Sequence, residues 1–264
     1  MSGARFLIDE LRRARAAAGL SQEDLGKLIK YSGSHVSAVE LGTRSPRSDY
    51  LAAVDEALHT GGLFLRILRE VVIGDAAVPW LRDWLPVERQ ARSLRWFEST
   101  WVPGLLQTEA YARATLAGEM LTSEEADRLV MSRLERQTVL SRDRPPLLIA
   151  VIDESILRRH AYHDSALMAD QLAHLVKCGE MPNVQIHVVP ADVGMYPGLG
   201  GGFIIAETSE GGHVAHADSQ LAAQIVERPI DVATLTDRWE RIRGEALPRR
   251  QSLDLIKEAA ASWT

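Results

Sequence analysis

The sequence predicts two parts of different class. A mostly α N-terminal domain of four to five helices covers residues 1–75, and an α+β C-terminal domain with a small sheet flanked by helices covers residues 80–264. Three observations predict this. Apolar residues in the first 60 positions recur every three or four residues, the period of amphipathic helices. Past Pro145-Pro146, the apolar run Leu147 to Ile152 and the alternating Val184 to Val189 bring in strand character. Between the two, Gly74 to Pro79 reads as a joint.

Taken in order, Phe6, Leu7, Leu11, Ala14 and Ala18 make one face of a first helix, which Gly19 ends. Ser21 is an N-cap for the second helix, with Asp24 as a short-armed capping-box acid. Leu25, Leu28 and Ile29 supply that helix's buried face. Gly26 sits where contact with the next helix wants a small residue, at a propensity cost of about 1 kcal/mol against Ala. Ser32 caps a third helix, anchored by Val36 and Val39 and ended by Gly42. A fourth, about Asp49 to Leu58, turns Leu51, Val54 and Leu58 inward. Two short helices meeting through a tight turn between Ser21 and Gly42 are the layout of a helix-turn-helix, whose second helix enters the major groove of double-stranded DNA.

Charge qualifies that expectation. Of the net −6, residues 1–60 contribute nothing, because eight Lys or Arg balance eight Asp or Glu. Arg44 and Arg47, just past the third helix, are where phosphate neutralisation would help. The absence of a strong basic patch predicts modest affinity per monomer and so favours a homodimer. The single cysteine, Cys178, excludes an internal disulfide framework and a multi-cysteine zinc site, and it fits a reducing compartment. No apolar run reaches the roughly 18 residues of a membrane span. The amphipathic, acid-containing N-terminus does not read as a signal peptide. The expected location is cytoplasmic.

The stretch from Ser21-Gln22 to the close at Val36, Ser37, Val39, Glu40, Gly42 and Pro46 resembles the Xre/Cro-repressor family of DNA-binding domains. The resemblance implies that Gln22 hydrogen-bonds a backbone phosphate. It also implies that the start of the third helix, from Ser32 through Gly33, Ser34 and His35 to Ser37 and Ala38, faces the bases. Gly33 and Ala38 occupy places where the family often has Arg, Lys or Gln, the side chains that make bidentate contacts to G or A. Ser34, His35 and Ser37 are weaker discriminators, so readout leans on DNA shape and paired half-sites. Glu40 is expected to pair with a basic neighbour rather than touch DNA.

In the larger part, an apolar helix runs from Leu63 to Val72. Further helices are expected over Trp80 to Leu85, Val87 to about Trp101, Gln107 to Leu116 and Ser123 to Arg142. Strands are expected over 147–152, 184–189, 203–206 and 214–217, giving a sheet of about four. Helices over 165–177, 232–246 and 253–261 accompany them. Val102 to Thr108 reads as a helix break: Pro103 cannot continue a helix, Gly104 allows the turn, and Leu105 and Leu106 plug the core. Trp80, Trp84, Trp96, Phe97 and Trp101 read as core or interface, with an aromatic effector pocket as the sharper alternative.

Several pieces invite an enzymatic reading, and the residues favour plainer ones. Pro197 to Gly202 is glycine-rich but lacks the Lys-Ser/Thr of a phosphate loop and precedes a strand, so it reads as a strand-entry loop. Asp153 of the Asp153-Glu154 pair reads as a helix cap. His160 and His163 read as surface residues, and His213, His216 and Asp218 form no clear site. No catalytic residue, metal site or cofactor is assigned.

Five motifs carry a second resemblance: Val102 to Thr108, Val151 to Glu154, Pro182-Asn183-Val184, Val188-Val189-Pro190 and Tyr196-Pro197-Gly198. They are similar, in order and over about residues 80–255, to a large actinobacterial family in which an Xre-type helix-turn-helix is fused to a domain of poorly defined function. Departures cluster at His213 to Val226. Arginine outnumbers lysine 26 to 4, in agreement with a GC-rich actinobacterial source. The resemblance implies a transcriptional regulator, in an antitoxin-like arrangement with a small partner protein or effector, and no enzymatic activity. Two alternatives stand beside it: an adaptor that reads DNA weakly, and an enzyme fused to a DNA-binding domain.

Overall fold

The computed structural model of the chain describes residues 3–42, 44, 46, 48–68, 84–118, 121–161, 164–217 and 224–263. They form two compact units. The first is Met1–Ala77 together with Leu121–Glu135; the second is Val78–Met120 with Arg136–Thr264. The first unit thus takes in a segment from beyond residue 80.

The first unit is helical. It holds α1 (Gly3–Ala17), α2 (Gln22–Ile29), α3 (Gly33–Glu40), α4 (Ser48–Ala57) and α5 (Leu63–Ile67). The capping box at Ser21 forms in both directions, with Asp24 N–H donating to Ser21 Oγ and Ser21 N–H to the Asp24 carboxylate. Lys30 ends α2 in the left-handed region, and Ser32 caps α3 by accepting from His35 N–H at 3.1 Å. Leu7, Leu25, Val36, Val39, Leu51 and Val54 fill the core. Leu28 corrects the expected α2 face: it is 57 % exposed, because α2 buries only Leu25, Gly26 and Ile29. Gly62, at the start of α5, has no side chain to cap with. Buried Asp55 of α4 substitutes, accepting from Phe64 N–H at 3.0 Å and Leu65 N–H at 3.1 Å. The rest of the helix expected to Val72, the Gly74 to Pro79 joint and Trp80 lie outside the described residues. The segment Leu121–Glu135 contains most of α8 (Ser123–Arg136), which Thr122 and Glu125 open with a second capping box.

The second unit is built on a sheet of six strands, two more than the sequence suggests. They are β1 (Ser93–Glu98), β2 (Leu147–Asp153), β3 (Val184–Val189), β4 (Phe203–Glu207), β5 (His213–Ala217) and β6 (Gln224–Val226). Their order is β3-β2-β1-β4-β5-β6, with β1, β2 and β3 parallel and the other pairings antiparallel. The helix expected from Val87 to Trp101 is instead α6 (Trp84–Gln90) followed by β1. β1 is central, paired on one side with β2 and on the other with β4, so residues far along the chain decide its conformation. Leu94 and Trp96 enter the core on one face, and Phe97 the core on the other.

The helices of this unit are α6, α7 (Glu109–Leu116), α9 (Ser165–Glu180), α10 (Pro229–Glu245) and α11 (Arg249–Ala261). Met168, Leu172 and Leu175 of α9 and Ile256 and Ala259 of α11 pack on the Trp96 face, while Trp239 and Ile242 of α10 pack on the Phe97 face. The edge at β3 is closed by the chain between α10 and α11. Val188 N–H donates to Ser252 Oγ at 3.0 Å, and Val188 O accepts from Leu247 N–H at 2.8 Å.

Val102 to Thr108 breaks no helix, because the chain before it is β1 and a loop; it is instead a turn that leads into α7. Gly104–Leu106 makes one 3₁₀ turn, and Leu105 and Leu106 are buried. A buried polar network satisfies the interrupted backbone. Gln107 Nε2 donates to Val102 O at 2.6 Å, and Gln171 of α9 accepts from Thr108 N–H at 2.7 Å and donates to Leu106 O at 2.8 Å. Gln137, just past α8, donates to Gln107 O at 2.7 Å. Beside it, Glu88 of α6 is gripped by Arg136 through two bonds of 2.9 and 2.7 Å and accepts from Trp84 Nε1 at 3.3 Å.

Candidate nucleic-acid interface

The geometry of the helix-turn-helix follows from two glycines. A Cβ on Gly26 would lie 2.8 Å from Tyr31 O and 3.0 Å from Gly33 N, so only glycine lets α2 meet the turn. A Cβ on Gly33 would lie 3.1 Å from the Glu23 Cα. Gly33 is where the start of α3 approaches α2 closely. A Cβ there would need the Glu23 backbone to give by a few tenths of an ångström.

Two arginines of α1 hold the other end of α3. Arg15 Nε and Nη2 donate to the Glu40 carboxylate at 2.6 and 2.8 Å, and Arg12 donates to the Glu40 carbonyl oxygen. Glu40 is 3 % exposed. Burial alone would raise its pKa, but the bonds from Arg15 and Gln22 and the charges of Arg15 and Arg12 outweigh burial and hold the carboxyl below its ordinary range. The expectation that Glu40 pairs with a basic neighbour is met. Gln22 is part of this network, its Nε2 donating to Glu40 Oε2 at 2.8 Å.

The remaining candidates spread along α3. Ser34 is exposed, with its hydroxyl 2.9 Å from that of Ser32. Ser37 and Ala38 are half-buried, and Ala38 O accepts from Arg44 N–H at 3.1 Å. His35 is packed as much as presented: its ring stacks on Tyr50 at 5.4 Å and meets Tyr31 edge-on at 4.7 Å. Burial, then the charge of Arg44, lowers its pKa against an opposing pull from Asp49, which favours a neutral ring at neutral pH. Arg44 is exposed; Arg47 lies outside the described residues. Lys30, which ends α2, is exposed three positions ahead of α3. A helix of eight residues is about 12 Å long, close to the width of the major groove, and exposed Lys30 precedes it by three residues while exposed Arg44 follows it by four.

In the second unit, the pieces with catalytic overtones hold structure. Asp153 caps the 3₁₀ turn Glu154–Arg158 by accepting from Ser155 N–H at 2.9 Å, and its other oxygen accepts from Tyr196 Oη at 2.6 Å. Burial and the Asp153 carboxylate push the Tyr196 hydroxyl well above its usual pKa. Glu154 is buried, held by Arg158 and accepting from Ala191 N–H. A Cβ on Gly198 would fall 2.3 Å from the Tyr196 ring and 2.4 Å from Phe97, so this glycine of the Pro197 to Gly202 stretch serves packing at the entry to β4. His216 is buried with its ring 5.2 Å from that of Trp84, whereas His213 is exposed. His160 meets Trp263 edge-on; His163 and Asp218 lie outside the described residues. Trp84, Trp96 and Phe97 are core, and Trp101 is half-exposed. Among the described residues, no group of three or more His, Cys, Asp or Glu is placed to hold a metal, and no helix is long and apolar enough to cross a membrane.

Comparison with known families matches both parts. A model described as a helix-turn-helix domain covers residues 7–66, and one described as a domain of unknown function (DUF5753) covers residues 81–258. No curated protein and no solved structure matches the chain.

Proposed function

The chain belongs to the family of that domain of unknown function (DUF5753), joined to a helix-turn-helix domain, and from this premise we propose that it is a transcriptional regulator of the Xre/Cro type. It binds double-stranded DNA as a homodimer in the cytoplasm, with α3 in the major groove and Lys30 and Arg44 on the flanking phosphates. The observation that carries this reading is the helix-turn-helix match together with an α3 that has exposed Ser34 near its N-terminal end, exposed Lys30 before it and exposed Arg44 after it. Dimerisation is supported by the neutral charge balance of residues 1–60 and by the short side chains on α3, which leave each half-site weakly read. The second unit supplies the pairing and senses a small partner protein or small-molecule effector, in an antitoxin-like arrangement. The capping and packing roles of Asp153, Glu154 and Gly198 support a sensor rather than an enzyme. The arginine-rich composition supports an actinobacterial source.

The test is a footprint of the full chain on the DNA upstream of its own gene, with its mass measured in solution. A protected palindrome with half-sites about 34 Å apart and a dimeric mass is the expected outcome. A monomer protecting one half-site would remove the dimer; retention on DNA that ignores salt would remove the DNA-binding reading. The poverty of long polar side chains on α3 favours one second reading, an adaptor that binds protein and reads DNA weakly. Arg44→Ala separates the two: a regulator loses DNA affinity and about one unit of salt slope, and an adaptor loses neither.

A further inference from the structure

Gln22 opens α2, and in a helix-turn-helix the first of the two helices crosses the sugar–phosphate backbone. Its side chain is half-exposed, yet it is not free to wander. Nε2 donates to Glu40 Oε2 at 2.8 Å, linking the first residue of α2 to the last of α3. Glu40 is buried and held by Arg15 through both oxygens, while Arg15 Nη1 also donates to Leu20 O at 2.7 Å. An ionised carboxylate only accepts, so the amide nitrogen of Gln22 is the atom that must face it. One Nε2 hydrogen is thereby committed. The second is held in a fixed direction.

We propose that Glu40 is a positioning residue for Gln22, with the buried Arg15–Glu40 pair orienting the amide so that its second N–H meets a DNA phosphate. The inference rests on the DNA-binding reading above. An unrestrained glutamine loses rotamer freedom when it binds; one already tied to Glu40 has lost it on folding. Arg15 is essential to the device, because a lone carboxylate so near a phosphate would repel it. The bidentate grip cancels that charge and leaves the carboxylate as an acceptor for Gln22.

Phosphate contacts carry no sequence information, so the probe is a fluorescent duplex of about 30 base pairs of random sequence at about 50 mM salt, titrated with the full chain. Gln22→Ala lowers affinity about five-fold. The slope of log affinity against log salt stays unchanged, because a neutral side chain releases no counterion. Replacing the pair, Arg15→Met with Glu40→Met, lowers affinity by the same factor, and adding Gln22→Ala to it lowers it no further. Glu40→Gln, which keeps an acceptor oxygen, recovers most of the loss. Gln22→Asn, too short to reach Glu40 and a phosphate together, behaves like Gln22→Ala and does not depend on the pair replacement folding. Effects that multiply in the combined variant, or Gln22→Asn binding like the parent, overturn the proposal. A parent chain that binds the duplex with salt dependence while Gln22→Ala is silent overturns it too, and leaves the DNA-binding reading standing. A parent that shows no salt-dependent binding removes that reading itself.

Discussion

Each unit contains a buried glutamate gripped through both oxygens by an arginine, and the two pairs differ in what else they hold. Arg15–Glu40 in the first unit also takes the amide of Gln22, which is half-exposed at the start of α2. Arg136–Glu88 in the second takes the indole N–H of Trp84, which is wholly buried, and the Arg136 guanidinium lies 6.0 Å from the Trp96 ring centre. The same charge pair therefore serves two ends. In the second unit its further partner is a buried core side chain. In the first it is connected to a half-exposed side chain at the start of α2, so disturbing it reaches the surface that we propose meets DNA. The first unit's network reaches a partly exposed side chain, and the second unit's polar side chains satisfy the irregular backbone around Val102 to Thr108.

That contrast can be broken or sharpened by measurement, beginning with the largest effect. Glu88→Ala and Glu40→Ala each strand a mostly buried guanidinium, and each should destabilise its own unit by about 3 kcal/mol, but only Glu40→Ala should also weaken DNA retention. All six tryptophans fall within Val78–Met120 and Arg136–Thr264, so urea unfolding followed by tryptophan fluorescence isolates the second unit. A loss under about 1 kcal/mol for Glu88→Ala would show that this pair is not structural in the sense argued. Next, Gly26→Ala drives a Cβ against the Tyr31 carbonyl oxygen at 2.8 Å. It should cost the first unit about 2 kcal/mol and abolish DNA retention while leaving the tryptophan signal unmoved. Circular dichroism at 222 nm during thermal unfolding reads the first part.

Smaller effects come from titration. Burial pushes the Cys178 thiol up to about 11, so a thiol reagent at pH 8 should react with the native chain far more slowly than with the urea-unfolded one. Equal rates would mean the α9 side of the second unit opens readily. The smallest concerns His35, whose pKa in the folded chain is depressed below the ordinary 6.5. The unfolded chain then binds a proton more readily, so stability is full at pH 7 and above and declines as pH falls below about 6.5. The decline should be confined to the first unit and vanish in His35→Gln. Persistence of the decline in that variant would place its origin elsewhere.

The two units also differed in how much of them the sequence disclosed. In the first, caps, turn and period are local. Ser21, Ser32 and Gly42 sit where their chemistry predicts, whereas Leu28, an apolar residue one step outside the buried stripe, and Ala18, just past the end of α1, are exposed. In the second, β1 was read as helix because Leu94 and Phe97 are as compatible with a three-residue spacing as with alternation. Nothing within Ser93–Glu98 announces that Leu147–Asp153 and Phe203–Glu207 will pair on either side of it. At the interface, the chain of candidate residues was legible as a list. The structure sorted it into a glycine close against α2 (Gly33), a stacked ring (His35), a tethered amide (Gln22) and the exposed Ser34 and Arg44.

By itself, the sequence determined the two fold classes, the helix-turn-helix with its caps, and the turn at Pro103-Gly104, though not the strand that precedes it. Each of these is set by residues within a turn or two of one another, where period, capping and backbone freedom act directly. The tertiary structure decided the order β3-β2-β1-β4-β5-β6, the surroundings of Gly33 and the partners of the two buried glutamates. Arg15 and Glu40 are 25 residues apart, and Glu88 and Arg136 are 48 apart. Which charge meets which across such distances depends on how the intervening chain packs its apolar surface, and no local pattern carries that information.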